Sequence, residues 1–132
     1  MTEEPAHDPE VLQLAGKIFE LARHGDTDTI ATYVDMGVPP NLTNDKGDTL
    51  VMLAAYHGHA DAVRVLLERG AKPDQTNDRG QTPLAGAVFK GEDDVVRALL
   101  DGGADPAAGT PSAIETARMF GKEDLLKLFG AA

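Results

Sequence analysis

Cysteine and tryptophan are absent from this 132-residue sequence, which holds only two Tyr and four Phe. Without Cys there is no disulfide scaffold, thiol nucleophile or thiolate zinc site, and the absence fits a reducing, cytoplasmic compartment. With aromatics at 5%, a core must be assembled from small aliphatic side chains. Serine occurs once, at Ser112, so a hydrolase of the Ser-His-Asp type has nowhere to stand. Basic residues are also few. Twelve Lys and Arg face 22 Asp and Glu, a formal charge of −10, and phosphate recognition needs the opposite balance, so nucleic acid and anionic membrane are excluded as default partners. No apolar run approaches the ~18 residues of a membrane span. The opening Met1-Thr2-Glu3-Glu4-Pro5 is acidic where a signal peptide is basic and then apolar. The expectation is a soluble, cytoplasmic, monomeric chain.

What the sequence does contain is a repeat. Residues 44–76 laid over 77–109 give 14 identities in 33 positions without a gap, among them Asn44/Asn77, Gly47/Gly80, Thr49/Thr82, Gly58/Gly91, Val63/Val96, Leu66/Leu99 and Gly70/Gly103. One period earlier Gly25, Ile30, Val34 and Gly37 fall in register, with Ala22 under Ala55. One period later the phase loses three residues, since Gly121 lies 30 after Gly91, and Leu126 and Phe129 then fall under Val63 and Leu66. Four units follow, at about 8–43, 44–76, 77–109 and 110–132, forming one domain behind a disordered acidic tail at 1–7.

Each unit reads as two short helices and a turn. Thr49 is placed to cap a helix over 50–57, and a second helix is predicted from Ala60 to Arg69, apolar at Val63, Leu66 and Leu67. Pro83 after Thr82 starts the equivalent helix one unit later without losing a hydrogen bond. Asn44-Asp45-Lys46-Gly47 and Asn77-Asp78-Arg79-Gly80 are turn tetrads, in which Asn bonds its own backbone and Gly supplies positive φ. Asp8-Pro9-Glu10 opens the first helix, and Ser112-Ala113-Ile114-Glu115 forms a capping box before a closing helix with Leu125, Leu126, Leu128 and Phe129.

Thr82-Pro83-Leu84, Leu53-Ala54-Ala55, Gly58-His59, Val63 to Leu67 and Gly70-Ala71 together resemble the ankyrin repeat, in phase over residues 16–130. The resemblance implies an all-α solenoid of helix-turn-helix units with short hairpin loops. Leu50 departs from the family's usual Pro, Met52 and Ala85 from its His, and Gly86 stands where the preceding unit has Leu53. Gly in a short helix costs about 1 kcal/mol in propensity, so the third unit is expected to be the softest.

Constellations that could carry chemistry fall away on inspection. His24 and His57 lie one period apart, about one helix-packing distance of ~10 Å, and cannot readily both reach ~2.1 Å from a zinc ion. His59 occupies the family's Gly-His position, which the resemblance makes structural. Asp74-Gln75-Thr76-Asn77-Asp78 opens like a calcium loop, but the required Gly and Glu are replaced by Arg79 and Ala85. Runs such as Glu92-Asp93-Asp94 read as acidic first turns of helices. No catalytic residue, metal or cofactor is expected.

In such stacks, the resemblance implies, hairpin tips and the exposed ends of the first helices line a concave face where protein partners dock. By phase, the two helix-end stripes are Arg23, Tyr56, Phe89, Met119 and His24, His57, Lys90, Phe120; the hairpins add Asp45, Lys46, Asp48, Asp78, Arg79 and Gln81. Three of the six aromatics fall in the stripes, while Phe19, Tyr33 and Phe129 sit at core-like positions. Aromatic and Arg side chains dominate interface energetics. Tips and stripes hold four Lys or Arg against three Asp, leaving eight against nineteen acids elsewhere, so the excess acid lies off this face. The expected function is a non-enzymatic interaction module: an adaptor, inhibitor or regulatory subunit. A different reading makes the acidic surface a competitor for a basic, nucleic-acid-binding protein.

Overall fold

Three buried hydroxyls set the phase of the helices. The computed structural model describes residues 9–132, so the expected 1–7 tail and the Asp8 cap lie outside the described residues. Thr49 accepts a hydrogen bond from the Met52 amide (3.1 Å) and Thr82 from that of Ala85 (3.2 Å), each ending the extended backbone that precedes a helix. Ser112 accepts from the Glu115 amide at 3.1 Å while the Glu115 carboxylate accepts from the Ser112 amide at 2.9 Å, closing the expected capping box. Eight helices result among the described residues: α1 (Pro9–His24), α2 (Thr27–Asp35), α3 (Leu50–Tyr56), α4 (Ala60–Glu68), α5 (Pro83–Lys90), α6 (Asp93–Asp101), α7 (Ala113–Met119) and α8 (Glu123–Leu128). The fold is the expected all-α stack of helix-turn-helix units. Helices α3 and α4 each stop one residue short of the sequence reading, because His57 and Arg69 are caps whose amides still bond back to Leu53 and Leu66.

The helices form two layers. In the inner layer α1, α3, α5 and α7 pack in succession, and in the outer layer α2, α4 and α6 do so, each against its own inner partner as well. The interior is aliphatic throughout: Ile18, Ile30, Leu50, Leu66, Leu84 and Leu99 are fully enclosed, with six valines. Phe19, Tyr33 and Phe129 pack against this core but stay half-buried rather than interior. At the far end α8 packs on α7 and scarcely touches α6, leaving a cleft of about 570 Å³ edged by Val96, Arg97, Leu125 and Leu128. Leu126 is buried there, whereas Phe129 is only half so.

The hairpins repeat one another atom for atom. Asn44 Oδ1 accepts from the amides of Lys46 (2.9 Å) and Asp48 (3.0 Å), and Asn77 Oδ1 from those of Arg79 and Gln81 (both 3.0 Å). Neighbouring tips are then tied together, the Asp78 amide to the Lys46 carbonyl at 3.1 Å and the Thr110 amide to the Gly80 carbonyl at 3.0 Å. Gly47 has φ +77°, and a Cβ there would run into Asp78, so the turn needs glycine for both torsion and space. The last connection differs: Gly109 and Ser112 form a single bridge around a cis Thr110–Pro111 bond.

Gly86, in the middle of α5, has ordinary helical torsions, and the nearest atom to a Cβ built on it is Tyr56 Cδ1 at 4.0 Å. Gly86→Ala should therefore raise stability by about 1 kcal/mol through helix propensity alone. Hydrogen exchange gives the local measure: α5 amides should exchange faster than those of α3 in the parent and slow in the variant. Equal protection of α3 and α5 in the parent would remove the softness of the third unit.

Candidate functional site

The last side chains of α3, α5 and α7 gather on one face, where Tyr56 shares a groove with the hairpin residues Lys46, Asp48 and Arg79 and another with Phe89 and Met119. Tyr56 is 43% exposed, Phe89 60%, Met119 70% and Phe120 48%; among the described residues most other large apolar side chains are buried or half-buried. Two of the rings meet, and the third carries a cation. Phe89 and Phe120 lie 5.7 Å apart between centroids at 59°, and the Lys90 ammonium sits 4.7 Å from the Tyr56 ring centre, in cation–π range.

Two grooves adjoin this row. One, about 230 Å³, is mixed in character and runs between the hairpins, where Lys46, Asp48, Asn77, Arg79 and Gln81 surround Met52, Leu53 and Tyr56. Asn77 Nδ2 donates to Asp48 Oδ1 at 2.9 Å and to Gln81 Oε1 at 2.8 Å, which fixes the polar wall. The other, about 410 Å³, is mostly apolar and has Gly86 at its floor, with Tyr56, Phe89, Pro111, Met119 and Phe120 around it. Met52, Tyr56, Arg79 and Gln81 border both, so the two chambers adjoin along a shared wall.

Of the residues singled out by phase, the structure brings Lys46, Asp48, Tyr56, Arg79, Gln81, Phe89, Lys90, Met119 and Phe120 together. Asp45 and Asp78 stand exposed on the hairpin tips and border neither groove. Arg23 and His24 are drawn to the first unit instead: both reach the Glu20 carboxylate, His24 Nε2 at 3.6 Å. The Arg23 carbonyl lies 2.7 Å from His59 Nε2, which donates to it and ties α1 to the second unit; His59 thus has the structural role the resemblance implied. Phase alone did not single out Met52 or Pro111. Gly86, at which the sequence predicts only a soft third unit, proves to line the apolar chamber.

His57 joins the row from the α3 cap, edge-on to Tyr56 at 5.6 Å and stacked against His59 at 6.5 Å. Burial lowers its pKa, and the nearby His59, Arg23, Lys90 and His24 lower it further. The unfolded chain therefore takes up this proton first, near the ordinary value of about 6.5, and stability rises with pH between the folded midpoint and that value. Above it His57 adds no pH dependence. An NMR titration of the His57 ring should give a midpoint below that of a histidine in a short peptide, and a midpoint at or above the peptide's would contradict this environment.

A sequence profile of ankyrin repeats, three copies, matches residues 18–109. Over 52 residues the chain is 46% identical to an ankyrin repeat protein of Pseudomonas aeruginosa, a stretch that covers 39% of this chain and 30% of that protein. The match thus spans less than a third of the relative's length. Met119 and Phe120, which close the apolar chamber, lie beyond the profile match.

Proposed function

The chain belongs to the ankyrin repeat family, whose repeats generally mediate protein–protein interaction, and on that premise we propose that it is a non-enzymatic module holding a protein partner on its concave face. The observation that carries this reading is the exposed row Tyr56, Phe89, Met119 and Phe120 beside two adjoining grooves. Its mechanism is preorganisation. A stack whose hairpins are pinned by Asn44 and Asn77 presents its side chains at fixed intervals, so association orders little that is not already ordered. The module works as a monomer, in one domain over 8–132, and in a reducing cytoplasmic compartment consistent with the absence of Cys.

Affinity capture on the full chain, followed by mass spectrometry, tests the reading when the Tyr56→Ala/Phe89→Ala variant runs beside it. A partner recovered by the parent and lost by the variant supports the concave face, and equal recovery removes it. A second reading has its own observation: Asp61, Asp93, Asp94, Glu123 and Asp124, all exposed, open the outer helices α4, α6 and α8 with negative charge suited to a basic, nucleic-acid-binding partner. That reading requires binding that falls steeply with salt and tolerates loss of both rings.

A further inference from the structure

The two chambers differ in chemistry, and together they describe a ligand. In the unit before Gly86, the equivalent position holds Leu53, which is buried. At Gly86 no side chain fills that place, and the space opens into a chamber bounded by Tyr56, Phe89, Met119 and Phe120. Its volume of about 410 Å³ exceeds what one side chain needs and falls in the range of about 300–1,000 Å³ over which proteins hold small ligands. Next to it, Lys46 and Arg79 line the groove between the hairpins and form no ion pair among the described residues. Lys90, over the Tyr56 ring, forms none either. The single carboxylate in the groove, Asp48, is already held by Asn77. Of these cations Arg79 borders the apolar chamber itself, Lys46 the groove beside it, and Lys90 the outer face of Tyr56, in a chain whose net charge is −10.

We infer that this groove takes a short segment of a partner protein that seats one aromatic or branched aliphatic side chain over Gly86 and places an adjacent Asp or Glu against Arg79 and Lys46. The inference rests on the concave-face reading and narrows it to a partner class. Apolar burial supplies the anchor, and Arg79, on the border of both chambers, offers a planar fork suited to two carboxylate oxygens. The acidic ridge of the outer helices lies elsewhere and disfavours docking of the same segment there.

A library of random 12-residue peptides displayed on phage and selected on the immobilised full chain tests this, with the enriched peptides then synthesised and titrated by fluorescence polarisation. The expected consensus is Phe, Trp, Leu or Ile next to Asp or Glu. Gly86→Leu, which projects a side chain into the chamber, should weaken these peptides by about tenfold or more without lowering Tm. Arg79→Glu, on an exposed hairpin and away from the core, should weaken them by about tenfold even if the Leu variant misfolds. A basic consensus, one without an apolar residue, or no enrichment overturns the inference. Peptides lost by Tyr56→Ala/Phe89→Ala yet indifferent to Gly86→Leu and Arg79→Glu would overturn it while leaving the concave-face reading standing. Peptides indifferent to all of these variants would overturn both.

Discussion

Leu66→Ala is expected to remove about 2–5 kcal/mol of stability, a large part of the roughly 5–15 kcal/mol that holds a domain of this size together. Leu66 is fully enclosed in α4, the outer helix that packs against α2, α6 and its own partner α3. A helix of nine residues is marginal in water by itself, because nucleation is costly, so α4 persists only through those neighbours. Truncation leaves a cavity that rigid surroundings on three sides close incompletely. The repeats also stand or fall together, since each unit's apolar face is covered by the next. Urea titration should show a lowered midpoint with an unchanged slope. Leu128→Ala, at a position 49% exposed beside the terminal cleft, should stay within about 0.5 kcal/mol of the parent. A Leu66→Ala cost below about 1 kcal/mol would mean that stacking is not the source of stability.

Replacing Tyr56 and Phe89 together by Ala should weaken the partner by about 2 kcal/mol or more, roughly thirtyfold in Kd, with the fold intact. Both rings already stand in solvent across much of their surface, so their removal uncovers little core. They border one chamber, and Tyr56 also supports the Lys90 ammonium, so the two losses should couple rather than add. Isothermal titration of the captured partner measures the effect, with circular dichroism and Tm as the control for folding. Affinity unchanged in a folded variant would remove Tyr56 and Phe89 from the site.

Much of the fold was legible because it is written in local chemistry. Asn44 and Asn77 bond amides two and four residues away, and Thr49, Thr82 and Ser112 bond amides three residues on; interactions this short are visible in any alignment of the sequence with itself. The stripes were legible for a related reason: period and helix geometry together set which positions end a helix. Within them, phase gave equal standing to Arg23, His24, Tyr56 and Phe89.

The tertiary structure alone decided which of those positions share a groove. Arg23 and His24 turn to Glu20, whereas Phe89 meets Phe120 and Lys90 crosses back to Tyr56. It also decided that Gly86 leaves an open chamber rather than a collapsed contact, and that α8 stands away from α6 despite a sequence in near register. The physical reason is the same in each case. A repeat fixes where backbones recur, but the direction in which a long side chain leans depends on charges and free volume contributed by neighbouring units, and these differ from one unit to the next.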